Sequence, residues 1–268
     1  MRRVLALAAA AVMLAACAGA SNSSRGEPHT AVVRVVTKGG FAPEAARRGE
    51  VPQVSVFADG RVIIVGPTTL EFPGPALPNL QEFRVTGRGL GKIIDEGRDA
   101  GLLDDPAPDY GDPGITDQPT TTVTVRVDGR SRTVDVYALN FYDGVTADQR
   151  ENRKRLSDFV ELAGDPGALL PVVVPGSTRR YDSAAIAVFV SSSETTDGAR
   201  HAWPLGALSG KECAVYEGGD AAAVLDAART AREGDVWQSA GATYNVAFRP
   251  LLPDERTCDD VTGVSEGR

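Results

Sequence analysis

The 268-residue chain reads as an α+β protein in which antiparallel β-hairpins pack against helices. Three observations predict this. Asp59-Gly60 and Asp128-Gly129 each separate two runs of alternating apolar residues, the strongest short-range hairpin signal. Apolar residues recur at helical spacing after residue 86 and after residue 146. Pro- and Gly-rich stretches punctuate the periodic segments and leave no long structureless core.

Taken in order, residues 32–36 form a short β-branched strand, and residues 54–65 fold as a hairpin about Asp59-Gly60. A two-residue loop there puts Val54 and Val56 on one face with Ile63 and Val65. Residues 66–80 are Pro-rich and irregular. Leu90, Ile93, Ile94 and Gly97 define a helix that Gly101 closes. Residues 104–119 form an acidic loop, and a second hairpin about Asp128-Gly129 sets Val123 opposite Val134. Thr146 and Gln149 make a capping box for a helix bearing Leu156, Phe159, Val160 and Ala163, which Gly164-Asp165-Pro166 ends. Further on, residues 184–190 are an apolar strand, Asp220 caps an Ala-rich helix over 221–232, and residues 243–248 alternate as a strand. Residues 90–101 are similar to 223–234, and each stretch follows a strand-like segment and precedes a Thr-containing strand, at Thr121 and at Thr243. This suggests a degenerate duplication of a strand–helix–strand unit, with a first α+β half over 32–170 and a second over 171–268.

The N-terminus points to a compartment. Arg2 and Arg3 precede thirteen uncharged, mainly apolar residues, 4–16, too short for a membrane span of about 20 residues but suited to a secretory leader. The leader ends in Leu14-Ala15-Ala16-Cys17, which resembles the lipobox of bacterial lipoproteins. The resemblance implies a signal peptide over 1–16, cleavage before Cys17 and a diacylglyceryl group on its thiol. Localisation would then be the extracytoplasmic face of the cell membrane. Ala18-Gly19-Ala20 offers a competing ordinary cleavage site that would release a secreted protein. Residues 17–31 are small and polar and read as a flexible tether.

The net charge is −8 at pH 7, and it becomes more negative once Arg2 and Arg3 leave. An acidic surface is repelled by nucleic acid and by anionic lipid heads, so a nucleic-acid partner is not expected and the bilayer must be held through the Cys17 lipid. Besides Cys17 the chain has Cys213 and Cys258, an even pair in an oxidising compartment. They are expected to form a disulfide closing a 46-residue loop, with two buried free thiols as the alternative. No C-x-x-C spacing exists and only His29 and His201 could assist, so neither a metal nor another cofactor is expected.

The lipobox, Phe57-Ala-Asp-Gly-Arg-Val62, Ala100-Gly-Leu-Leu-Asp-Asp105, Asp109-Tyr-Gly-Asp112, Pro119-Thr-Thr-Thr-Val-Thr-Val125 and Phe248-Arg-Pro-Leu-Leu-Pro-Asp-Glu255 with Cys258 occur together. In these features the chain resembles an uncharacterised family of actinobacterial cell-envelope lipoproteins. The resemblance implies a location and an architecture over most of the mature chain, and no activity.

Candidate sites are few. Asp104, Asp105, Asp109, Asp112 and Asp117, with Tyr110 among them, could offer oxygen ligands to a hard cation or a contact surface to a partner. Their spacing matches no EF-hand, and Asp and Pro also set turn geometry. Gly87-Arg-Gly-Leu-Gly-Lys92 lacks the spacing of a phosphate loop. His201 lies beside Trp203 and follows Ser191, Ser192 and Ser193, but no nucleophile elbow is present. Glu194, Glu212 and Glu217 are the nearest carboxylates for a glycosidase-type pair. With so few acids, bases or ligands in recognisable patterns, no catalytic residue is assigned. The chain is read as a non-catalytic binding module whose partner is another envelope protein or a small ligand, with an extracytoplasmic hydrolase as the alternative.

Overall fold

A computed structural model of the chain describes residues 29–40, 48–193, 198–208 and 212–262. Cys17, the leader and nearly all of the tether lie outside the described residues. The fold is α+β, and the described residues form twelve strands in two sheets and four α-helices.

The first sheet uses β1 (Ala31–Gly39), β2 (Val54–Phe57), β3 (Arg61–Val65), β4 (Leu80–Arg84), β5 (Pro119–Val127), β6 (Arg130–Tyr137) and β7 (Arg179–Arg180). Their spatial order is β6-β5-β1-β2-β3-β4-β7, antiparallel throughout. One face carries Val33, Val35, Val54, Val56, Val62, Val123, Val125, Val134 and Val136. It is covered by α1 (Gly87–Asp99) and α2 (Ala147–Gly164). The alternating β-branched residues read from the sequence are this face.

Helix α1 starts at Thr86, whose hydroxyl accepts the Gly89 amide at 3.2 Å. It ends in a Schellman turn, with Gly101 at φ +76, Leu102 N donating to Gly97 O and Gly101 N to Arg98 O. Of the glycines at 87, 89 and 91, only Gly89 serves packing. A Cβ on Gly89 would meet Val85 and Val172 within 3.0 Å, so the helix sits closer to its neighbours than any other residue allows. The capping box of α2 forms with both of its bonds.

The two Asp-Gly hairpins differ. At Asp128 (φ +52) and Gly129 (φ +75) both loop residues are left-handed, a two-residue type I′ turn, and Val123 pairs with Val134 as expected. At Asp59-Gly60 the expected register is wrong by one residue. Val54 pairs with Ile64 and Val56 with Val62, across a three-residue loop of Ala58, Asp59 and Gly60. Only Gly60 is left-handed there (φ +82). The Asp59 carboxylate accepts from Arg61 N at 3.0 Å, and Gly60 O accepts from Val85 N at 2.8 Å. These bonds favour the longer loop. Ile63 therefore turns away from Val54 and joins Phe57, Leu80 and Leu252 on the opposite face.

The second sheet comprises β8 (Ala185–Ser192), β9 (Arg200–Ala202), β10 (Cys213–Glu217), β11 (Val236–Ser239) and β12 (Ala242–Pro250), ordered β10-β8-β12-β11-β9. Only β9 and β11 run parallel. On one face Ile186, Val188, Val190, Trp237 and Phe248 pack on α3 (Gly218–Ala228) through Ala221, Val224 and Ala228. Helix α3, Gly218–Ala228, begins three residues earlier and ends four earlier than expected. Its N-cap is Glu217, and Asp220 lies in the first turn, where a carboxylate still complements the helix dipole.

Following the antiparallel ladders, β4 and β5 run the same way across α1, and β10 and β12, the strand that contains Thr243, run the same way across α3, as the expected duplication requires; β11 is an additional strand between α3 and β12. Two elements cross the division expected at residue 170. Strand β7 still belongs to the first sheet, and Leu77 from the irregular segment joins the core of the second.

Cys213 and Cys258 form the expected disulfide, fastening the edge strand β10 to α4 (Cys258–Thr262), with Cα atoms 6.2 Å apart. Replacing both cysteines by serine is expected to lower stability by about 4 kcal/mol on the chain-entropy model. Urea unfolding of the double variant against the parent checks this.

Candidate functional site

The acidic loop is ordered by its neighbours. Asp109 accepts from Gly111 N at 2.9 Å and from Gln149 Nε2 at 2.8 Å, and Gln149 and Gly111 together hold its carboxyl below the ordinary range. Asp112 accepts from Gly114 N at 2.8 Å, Asp105 pairs with Arg132 at 2.8 Å, and Asp117 takes a left-handed φ of +60. Tyr110 is buried against the first core, and burial pushes its phenol up to about 12. Most of these acids thus serve turns or ion pairs. Among the described residues no group of three or more His, Cys, Asp or Glu side chains is arranged to hold a metal ion.

A residue the sequence reading passed over organises this region. Arg153 is fully buried on α2, three residues before Leu156 in the apolar stripe. Its Nε donates to Tyr110 O at 2.6 Å, one terminal nitrogen to Gly111 O at 2.9 Å and the other to Ala138 O at 2.8 Å. A charged residue at a stripe position was the available signal.

His201 lies on β9. Its Nε2 is 2.7 Å from Asp235 Oδ2, and its ring stacks on Trp237 with centroids 5.0 Å apart. Burial alone would raise Asp235, but the amides of Arg232 and Ala199 and the His201 ring together hold it below the ordinary range. Asp235 thereby ties β9 to the turn before β11. Ser192 is remote. The pairs His201–Trp237, Trp237–Tyr244 and Tyr244–Ser192 place it three strands away, about 14 Å at the usual strand spacing. Trp203 is 7% exposed and packs edge-on to Trp237, so it belongs to the core and not to a contact surface. Glu194 lies outside the described residues. Glu217 ends β10 and Glu212 immediately precedes that strand, so the two lie about 16 Å apart along an extended chain. That separation exceeds the span of a glycosidase pair.

Among the described residues, a cleft of about 820 Å3 lies where the two sheets meet. One wall is α3, through Gly218, Ala221, Ala222, Leu225, Asp226 and Arg229, residues at helical spacing whose small side chains leave the space open. Facing it are Leu77, Leu80 and residues 180–184, with Pro250 also lining the cleft. The 180–184 segment is fastened at two points, because Tyr181 Oη and Ser183 Oγ both donate to Leu251 O, at 2.9 and 2.7 Å. Burial pushes the Tyr181 phenol up to about 12. Asp226 is paired with Arg229 at 2.8 Å. Arg180 and Asp182 are exposed and make no ion pair among the described residues. The volume is in the range of ligand pockets, and both walls come from different sheets, a common setting for one.

Fold and cleft define the class as an α+β protein of two mostly antiparallel sheets that meet at a groove. Compared with family models, with curated proteins and with solved structures, the chain finds no match.

Proposed function

We propose that the protein is a non-catalytic cell-envelope lipoprotein, anchored to the extracytoplasmic face of the membrane through the Cys17 lipid. It binds a segment of another envelope protein or a small polar ligand in the cleft between the two sheets. The observation that carries this reading is the cleft itself, with an apolar floor, a helical wall of alanines and one free charge of each sign at Arg180 and Asp182. The lipobox-like end of the leader carries the location. Among the described residues no helix is long and apolar enough to cross a membrane, which is compatible with a lipid anchor.

The test is a photo-reactive side chain at Ala222, on the exposed part of the α3 wall, in living cells. A discrete adduct is expected at position 222, absent when the same group is placed at Thr124 and lost on Arg180→Glu. The same adducts from both positions, or none from Ala222, would remove the cleft as the binding site. Loss of membrane association on Cys17→Ser tests the anchor separately.

A further inference from the structure

We infer that β6 is an association edge, and that the strand it takes is β6 of a second copy of this chain, paired antiparallel about Thr133. The inference does not depend on what fills the cleft.

The argument starts from the direction of the main-chain groups. The two-residue turn at 128–129 makes Val127 and Arg130 a hydrogen-bonded pair, and the bond from Ala138 N to Pro119 O at 2.9 Å agrees at the far end of the ladder. Antiparallel pairing alternates, so Arg130, Arg132, Val134 and Val136 direct their N–H and C=O groups to β5. Ser131, Thr133 and Asp135 direct theirs outward. Strand β6 ends the sheet, and among the described residues none of these three N–H or three C=O groups has a protein partner. All three residues are exposed. The Tyr137 carbonyl, next in the outward series, is already taken by Arg153.

The edge is regular. Eight consecutive residue pairs join β6 to β5 with no register shift. It has no proline, no bulge and no covering element among the described residues, three of the devices that block edge pairing; a fourth, charged side chains, is represented by Arg130, Arg132 and Asp135. Among protein partners, another extended chain matches such a row of alternating donors and acceptors, in place of the water that otherwise satisfies it.

The side chains select the partner and the register. An antiparallel pair centred on Thr133 sets Thr133 opposite its own copy and Ser131 opposite Asp135 of the other copy, twice by symmetry. The Ser131 hydroxyl has no protein partner among the described residues. Asp135 uses Oδ1 for the Thr122 hydroxyl at 2.5 Å and keeps Oδ2. Each Ser131 can therefore donate to an Asp135 across the axis, and the two threonines meet as a favourable cross-strand pair. Centring on Asp135 instead would set two carboxylates directly opposite, which is repulsive. On the other face Arg132 would lie opposite Val134, with its charge already engaged by Asp105.

Cysteine cross-linking tests both partner and register in the full chain carrying Cys17→Ser. A hydrogen-bonded antiparallel pair has Cα atoms about 5.5 Å apart, inside the disulfide range. Under mild oxidation Thr133→Cys is expected to give a covalent dimer on the order of ten-fold faster than Thr124→Cys, which lies on the same face one strand inward. A mixture of Ser131→Cys and Asp135→Cys chains is expected to cross-link faster than either variant alone. Thr133→Cys reacting no faster than Thr124→Cys, or no preference for the mixture, would overturn the proposal. Circular dichroism of each variant confirms that the surface substitution leaves the fold intact.

Discussion

Glu255→Ala is expected to destabilise the protein by about 3–5 kcal/mol, the usual cost of leaving one member of a buried ion pair without its partner. Arg249 and Glu255 are each 2% exposed at the side chain and lie 2.8 Å apart. Glu255 also accepts from Leu252 N at 2.8 Å, and Arg249 Nε donates to Glu50 O at 2.7 Å. Arg34 of β1 joins from the first sheet, through Asp254 at 2.6 Å. The cluster therefore binds the end of β12 and the turn after it to the outer face of the first sheet, beside Leu252. Burial lowers the Arg249 guanidinium from its ordinary value and Glu255 opposes that shift, so removal of the carboxylate exposes the full desolvation cost of the cation. The double variant Arg249→Met with Glu255→Leu is expected to recover much of the loss, because it leaves no charge behind. Urea unfolding of the single and double variants checks both. A Glu255→Ala midpoint equal to that of the parent would show that water reaches Arg249.

Arg153→Leu is expected to cost about 3 kcal/mol or more, because buried carbonyls left without a donor each forfeit about 1–3 kcal/mol. The guanidinium bonds to main-chain oxygens of two separate segments, Tyr110 and Gly111 on one side and Tyr137, Ala138, Leu139 and Phe141 on the other. It is a cation solvated by backbone in place of water. Leucine fits the stripe that continues through Leu156 and Phe159, so helix α2 should persist while the acidic loop loosens. The specific readout is proteolysis near Asp109, expected to accelerate at urea concentrations well below global unfolding. Equal protection of the loop in both proteins would show that Tyr137, Gln149 and Asn152 hold it unaided.

The elements legible in the sequence were those whose signals are local. The Asp128-Gly129 hairpin, the Thr146–Gln149 capping box, the Gly101 helix stop and the Cys213–Cys258 pair each depend on residues whose chemistry acts within a few positions or in a set too small to combine otherwise. Missed features depend on distant partners. The Asp59-Gly60 register differs from its near twin because Gly60 O must reach Val85 N, a bond invisible from residues 54–65 alone. Strand β9 escaped notice because a short parallel strand needs no hairpin signal, and β11 because its two-residue turn at Ala240-Gly241 lacks the Asn-Gly or Asp-Gly signature. The start of α3 moved because Gly218 and Gly219, poor helix formers, are carried into the helix directly from β10.

The candidate sites divide in the same way. Individual acids and His201 were visible, but their separations were not. Only the tertiary structure places His201 three strands from Ser192, turns Trp203 inward and engages most of the acidic loop in turns and ion pairs. The cleft has no local signature, since its walls come from residues 77–80, 180–184 and 218–229, which meet only when two sheets pack. The sequence by itself determined the α+β class, the Asp128-Gly129 hairpin, the Thr146–Gln149 capping box, the Gly101 helix stop and the disulfide partners. These follow from backbone preferences and periodicity, which act over a few residues. Register at Asp59-Gly60, the membership of each sheet, the buried charges of Arg153, Arg249 and Glu255, and the cleft were decided by tertiary structure. Their energies come from desolvation and hydrogen bonding between segments far apart in the chain, and those terms exist only once the segments meet.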